Sequence, residues 1–181
     1  MSASSVIKEN KPALRFLIVF VSIYLVLNTF YGLYINYYSP TADPVTKSVA
    51  NQTVWILSFF DPTITDYPSI FVEYIPISND RENVISVFEG CNGINVIIVY
   101  LSFLVAYKGP VRLFFAFLTL GSIGIHLLNL LRLTLLYAAA FYFPEYLYFF
   151  HKYLFTGIIY AMVFVLWFFW TKKIKDGKEV R

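Results

Sequence analysis

One cysteine and two histidines are all that the chain offers for thiol and imidazole chemistry. A single cysteine excludes an internal disulfide and a Cys-x-x-Cys redox pair, and so a quinone-linked disulfide oxidase. There is no His-Glu-x-x-His, no phosphate-cradling glycine loop and no acidic cluster, so neither a metal nor another cofactor is expected. Charge is scarce too: Asp, Glu, Lys and Arg make up 14% of the residues, well under a soluble domain's usual share. A water-soluble globule is excluded. No internal repeat or low-complexity segment is evident.

What the chain has instead is apolar length. Hydrophobic residues reach 59% and aromatics 20%, with a mean hydropathy of +0.65. They fall in long runs. Ala13 to Tyr38 carries one charge, Arg15, near its start, while Ile94–Tyr107, Leu113–Leu131 and Tyr153–Trp170 carry none. A helix needs about 20 residues to cross the hydrocarbon, and the second run reaches that only if it begins near Cys91. The expected fold is an all-α integral membrane protein, one domain with about four transmembrane helices. The first run is too long for a signal-peptide core, and bulky Tyr31–Tyr38 stands where a cleavage site would be, so a retained helix is expected. These runs make the lipid bilayer the expected partner, and the sequence pI near 8.9 therefore says nothing of nucleic acid.

Charge placement sets an expected orientation. Lys8, Lys11 and Arg15 precede the first run, Lys108 and Arg112 flank Gly109-Pro110, and Lys172, Lys173, Lys175, Lys178 and Arg181 close the chain. Only Glu9, Asp176 and Glu179 oppose them. Residues 39–90 reverse the balance, with Lys47 and Arg81 against Asp43, Asp61, Asp66, Glu73, Asp80, Glu82 and Glu89. The positive-inside rule places both termini and the 108–112 loop in the cytoplasm. The expected order is a cytoplasmic segment 1–12, helix 1 over 13–38, an extracytoplasmic segment 39–90 and helix 2 over 91–107. A cytoplasmic loop 108–112, helix 3 over 113–132, an outer interfacial hairpin 133–151, helix 4 over 152–171 and a cytoplasmic tail 172–181 follow.

Within 39–90, Val45–Phe60 reads as a helix lying on the membrane through Val49, Trp55, Ile56, Phe59 and Phe60. Ser69–Ile77 reads as a short strand or extended chain. The aromatic stretch 133–150 reads as a hairpin along the interface, broken at Pro144.

Counting along this order brings three reactive side chains to one face. Helix 3 climbs about 30 Å between Arg112 and Arg132; Cys91 opens helix 2 and His151 precedes helix 4. Lone cysteines are usually inert small hydrophobes. Here Gly90 and Gly93 permit close approach, Asn92 and Asn95 add hydrogen bonds, and a helix N-terminus should lower the thiol pKa. Asn129 and His126 lie one and two turns below Arg132, a polar stripe that must face protein or water. The deeper His126 suits a supporting role. Gly121, Ser122 and Gly124 fit close helix packing. A non-catalytic membrane assembly or transport subunit, with Cys91 structural and Arg132 on a lipid phosphate, is the alternative.

In Gly90-Cys91-Asn92-Gly93-Ile94, Asn129-Leu130-Leu131-Arg132 and His151, in that order, the chain resembles the exosortase/archaeosortase family, as a short variant. The resemblance covers roughly residues 85–170. It implies a membrane-embedded cysteine transpeptidase with Cys91 as nucleophile and Arg132 and His151 as catalytic partners; the reading of the residues themselves adds Asn92, Gly93, His126 and Asn129 in support. It also implies exported protein substrates carrying a C-terminal transmembrane sorting signal and an acceptor whose identity is open; the charge pattern puts the active site on the outer face of the cytoplasmic membrane.

Overall fold

The computed structural model describes residues 10–179 other than 69, 70 and 81. Lys8, Glu9, Arg81 and Arg181 of the charge pattern, and the first two residues of the expected 69–77 strand, lie outside the described residues.

Helices dominate. Helix α1 is Lys11–Tyr38, with a proline in its first turn, where the missing N–H is not needed. Helix α2 is Pro44–Ser58. Asp43 caps it, accepting from the backbone N–H groups of Val45 at 2.9 Å and Thr46 at 3.1 Å; a capping carboxylate followed by proline is a helix start. Helix α3 is Ile94–Ala106 and α4 is Val111–Tyr142. After a break at Phe143, 3-10, α and π turns cover Pro144–Leu154 and lead into α5, Phe155–Glu179.

Among the described residues three stretches are long and apolar enough to cross a membrane: Lys11–Tyr38, Val111–Tyr142 and Pro144–Asp176. The expected helix 2 is shorter than 91–107. Its 13 residues in α3 rise about 20 Å, less than the hydrocarbon thickness, because Gly93 takes a left-handed conformation and residues 89–91 form a separate turn. The chain also departs from the expected limits of helix 3. It does not stop at Arg132 but continues ten residues to Tyr142, about 15 Å further. Residues 133–151 are thus no separate interfacial hairpin. They are the upper end of α4 and the turns entering α5, with the break where Pro144 places it. The cause is a buried face: Leu130, Leu133, Leu136 and Tyr137 recur at helical spacing and pack into a core.

That core lies at one end of the bundle. Strands β1 (Thr65–Asp66), β2 (Tyr74–Ser78) and β3 (Asn83–Phe88) form an antiparallel sheet in the order β1-β2-β3. Ile75, Ile77 and Val87 on its inner face meet α2 and the upper part of α4. Helix α2 splits the expected stripe: Val49 turns into the protein, while its large aromatics stay outside. Thr46, Val49, Ala50, Thr53 and Leu57 are buried, while Trp55, Phe59 and Phe60 are left exposed. Small and β-branched residues make the packed side because they let the sheet and α4 approach.

A second core joins α3, α4 and α5 through Tyr100, Leu104, Ile125, Val163 and Trp170. The Tyr100 hydroxyl donates to the Phe117 carbonyl at 2.8 Å. Its ring lies against Gly121, where a Cβ would collide with it. The bare backbone at 121 is what holds α3 against α4.

Candidate active site

Cys91 ends a 3-10 turn, Glu89–Cys91, that links β3 to α3. Four bonds fix this turn. Asn92 Oδ1 accepts from the Ile94 N–H at 3.0 Å, closing a tight turn at the start of α3. Asn92 Nδ2 donates to the Tyr31 hydroxyl at 2.7 Å and to Thr46 Oγ1 at 3.0 Å. The Tyr31 hydroxyl in turn donates to the Glu89 carbonyl at 3.3 Å. One tyrosine on α1 therefore grips both sides of the cysteine, and Asn92 ties α1, α2 and α3 together.

Gly93 sits at φ +85°, a region costly to residues with a Cβ. Against it lies Asn129 of α4, fully buried, whose Nδ2 donates to the Cys91 carbonyl at 2.7 Å. Its Oδ1 has no hydrogen-bond partner.

His151 stands in the π turn Phe150–Leu154. Such one-residue widenings of a helix are frequent at functional sites. Its Nε2 lies 3.7 Å from Cys91 Sγ and 3.3 Å from an Nη of Arg132. Arginine can only donate, so Nε2 is an acceptor and the imidazole proton is on Nδ1. The nitrogen facing the thiol is therefore the basic one. Cys91 and His151 share a cavity of about 440 Å³ walled by β3, upper α4 and the turns before α5. Arg132 does not line that cavity but a smaller one, with Phe155, Ile158 and Ile159, and its buried Nε is unpaired.

Cys91 is 2% exposed. Burial pushes its thiol pKa up, opposed by the Arg132 charge and by the Phe88 backbone amide; Glu89 adds to the rise. The expected lowering by a helix N-terminus is overturned on balance. The cysteine precedes the helix by a turn and is desolvated, so its resting state is the thiol.

The expected polar stripe on α4 divides by height. Arg132 reaches His151, Asn129 reaches the cysteine backbone, and His126 Nε2 meets Gln52 Oε1 of α2 at 2.9 Å. His126 thus joins α4 to α2 and touches none of the other three. Tyr31, Thr46 and Gln52 were not singled out in the sequence. Tyr31 is one of several tyrosines in a run, and nothing local marks it. Gln52, a polar residue within an apolar helix face, is the one that carried a readable signal. No group of three or more His, Cys, Asp or Glu able to hold a metal occurs among the described residues.

Compared with known proteins, the chain matches the family model described as transmembrane exosortase (Exosortase_EpsH) over residues 9–170. No curated protein and no solved structure matched it. The matched span contains Cys91, Arg132 and His151 together with the turns and helices that position them. A match over nearly the whole length settles the relationship resembled by the short motifs: the chain belongs to the transmembrane exosortase family.

Proposed function

We propose that this protein is a membrane cysteine peptidase or transpeptidase. It cleaves the C-terminal sorting signal of exported proteins and passes them to an acceptor nucleophile or to water. The observation that carries the reading is the approach of Cys91 Sγ to the basic nitrogen of His151, 3.7 Å apart, on a shared cavity.

The chemistry follows from the proton positions. His151 Nε2 accepts the Cys91 proton as Sγ attacks the peptide carbonyl. Once protonated, Nε2 no longer accepts from Arg132. The guanidinium is released toward the anion that the same step creates, first the thiolate and then the tetrahedral oxyanion. Collapse breaks the C–N bond, and His151 returns the proton to the leaving amine. The thioester left on Cys91 then transfers to an acceptor amine or is hydrolysed. Asn129 and the Tyr31–Asn92 pair hold the cysteine turn in place throughout.

In the orientation favoured by the basic clusters, the site faces outward from the cytoplasmic membrane of a bacterium, with both termini inside. The test compares the exported proteins of cells carrying the natural chain or Cys91→Ala. Substrates should keep their C-terminal helix in the variant. If no exported protein differs while the variant inserts at normal levels, the reading fails.

A further inference from the structure

Strand β3 is an edge: it pairs with β2, and among the described residues no strand pairs with its other side. Register shows which backbone groups face that open side. The Tyr67 N–H donates to the Pro76 carbonyl across the β1–β2 pair, so Pro76 turns its backbone toward β1. Its neighbours Ile75 and Ile77 then turn theirs toward β3, where they stand opposite Val87 and Ile85. Because alternate residues of a strand point opposite ways, Ser86 and Phe88 present their N–H and C=O groups to the open side.

That side is the cavity holding Cys91 and His151. Ser86 belongs to one wall and Leu136 and Leu147 to the other, and the Phe88 amide acts on the Cys91 thiol itself. Unpaired strand edges are normally blunted by charge or proline. The sequence Asn83-Val84-Ile85-Ser86-Val87-Phe88 has neither. An unguarded edge that runs directly into the turn bearing the nucleophile is suited to receive a strand.

We propose that β3 binds the extended segment of the substrate as an added fourth strand. Ser86 would exchange N–H and C=O bonds with its backbone, and this pairing would set the scissile carbonyl beside Cys91. The inference rests on the reading of Cys91 as a nucleophile toward peptides. Main-chain bonds would supply affinity with little regard to sequence, and alternate side chains facing the leucine wall would supply selectivity.

Because Cys91 is the only cysteine, a peptide can be tethered there alone. The probe is an octapeptide of alternating serine and valine with one activated cysteine, joined to Cys91 as a mixed disulfide in the full-length protein. Hydrogen exchange is read on the fragment covering residues 83–90. The amide of Ser86 should exchange at least about tenfold more slowly than with β-mercaptoethanol on Cys91. The same peptide fully N-methylated, unable to pair as a strand, should give no such slowing. Equal exchange with peptide and β-mercaptoethanol, or equal protection by the N-methylated peptide, would overturn the proposal. In cells, Ser86→Pro removes the outward N–H and should cost about tenfold more processing than Ser86→Ala, which retains it. If Cys91→Ala leaves processing intact, the nucleophile reading falls and the exchange result judges the strand by itself. If Cys91→Ala abolishes processing while Ser86→Pro and Ser86→Ala behave alike, only the added strand falls.

Discussion

Two glycines flank the cysteine, and the structure assigns them unequal importance. At Gly93 space is not the obstacle, since an added Cβ would meet Asn129 Cγ at 3.4 Å, an ordinary contact. The obstacle is φ +85°. A residue with a Cβ pays about 1–2 kcal/mol to stay left-handed, a factor of roughly 5–30 in the population of the correct turn. At Gly90 an added Cβ would strike the end of the Phe88 ring at 2.6 Å. That ring lies at the surface, 40% exposed, with room to turn aside, and no positive φ is involved. Gly93→Ala should therefore reduce processing of an exported substrate by roughly 5–30-fold at equal membrane levels, and Gly90→Ala by no more than about twofold. The assay is the ratio of full-length to trimmed substrate on a gel, with insertion checked for each variant. Equal losses at the two positions, or a Gly93→Ala protein as active as the natural one, would refute the argument that backbone conformation at 93 sets the thiol.

Other expectations use the same site. Burial raises the Cys91 pKa and Arg132 opposes the rise, so modification by a small methanethiosulfonate should accelerate with pH to beyond the ordinary thiol range. Arg132→Gln should move that profile to higher pH still; a shift to lower pH would contradict the electrostatics. Arg132→Lys should also fail in processing, because lysine keeps the charge but lacks the rigid planar fork of donors that grips a thiolate or oxyanion. His151→Ala should cost far more activity than His126→Ala, whose loss breaks only the bond to Gln52; the reverse order would undo the role assignment. Reporter fusions at residue 108 and at the C-terminus should register as cytoplasmic, and one near residue 62 as outside.

Much of the site was legible because its residues are rare. A lone cysteine, an arginine beside an apolar run and a histidine at the opening of another stand out in a chain this apolar, and hydropathy alone ordered the helices. What stayed hidden depends on contacts made across the fold. The upper turns of α4 looked like interfacial loop because their apolar face packs on a sheet whose strands are short and masked by five prolines in residues 39–76. The cysteine's electrostatics are hidden from the sequence for a similar reason: proximity to a helix is local, whereas desolvation comes from α4 and the sheet around it. Tyr31 was unreadable in principle from its neighbours, since its role depends on a turn about 60 positions away in the chain.

The central claim is a covalent bond at Cys91, and the intact mass of the protein tests it most directly. Protein taken from its native membrane and quenched in acid should carry a substrate-derived adduct, released by hydroxylamine as a thioester is, and absent from Cys91→Ala. With one cysteine in the chain, the adduct can have only one thiol as its site. Processing that continues at its normal rate in cells whose only copy is Cys91→Ala would contradict the account.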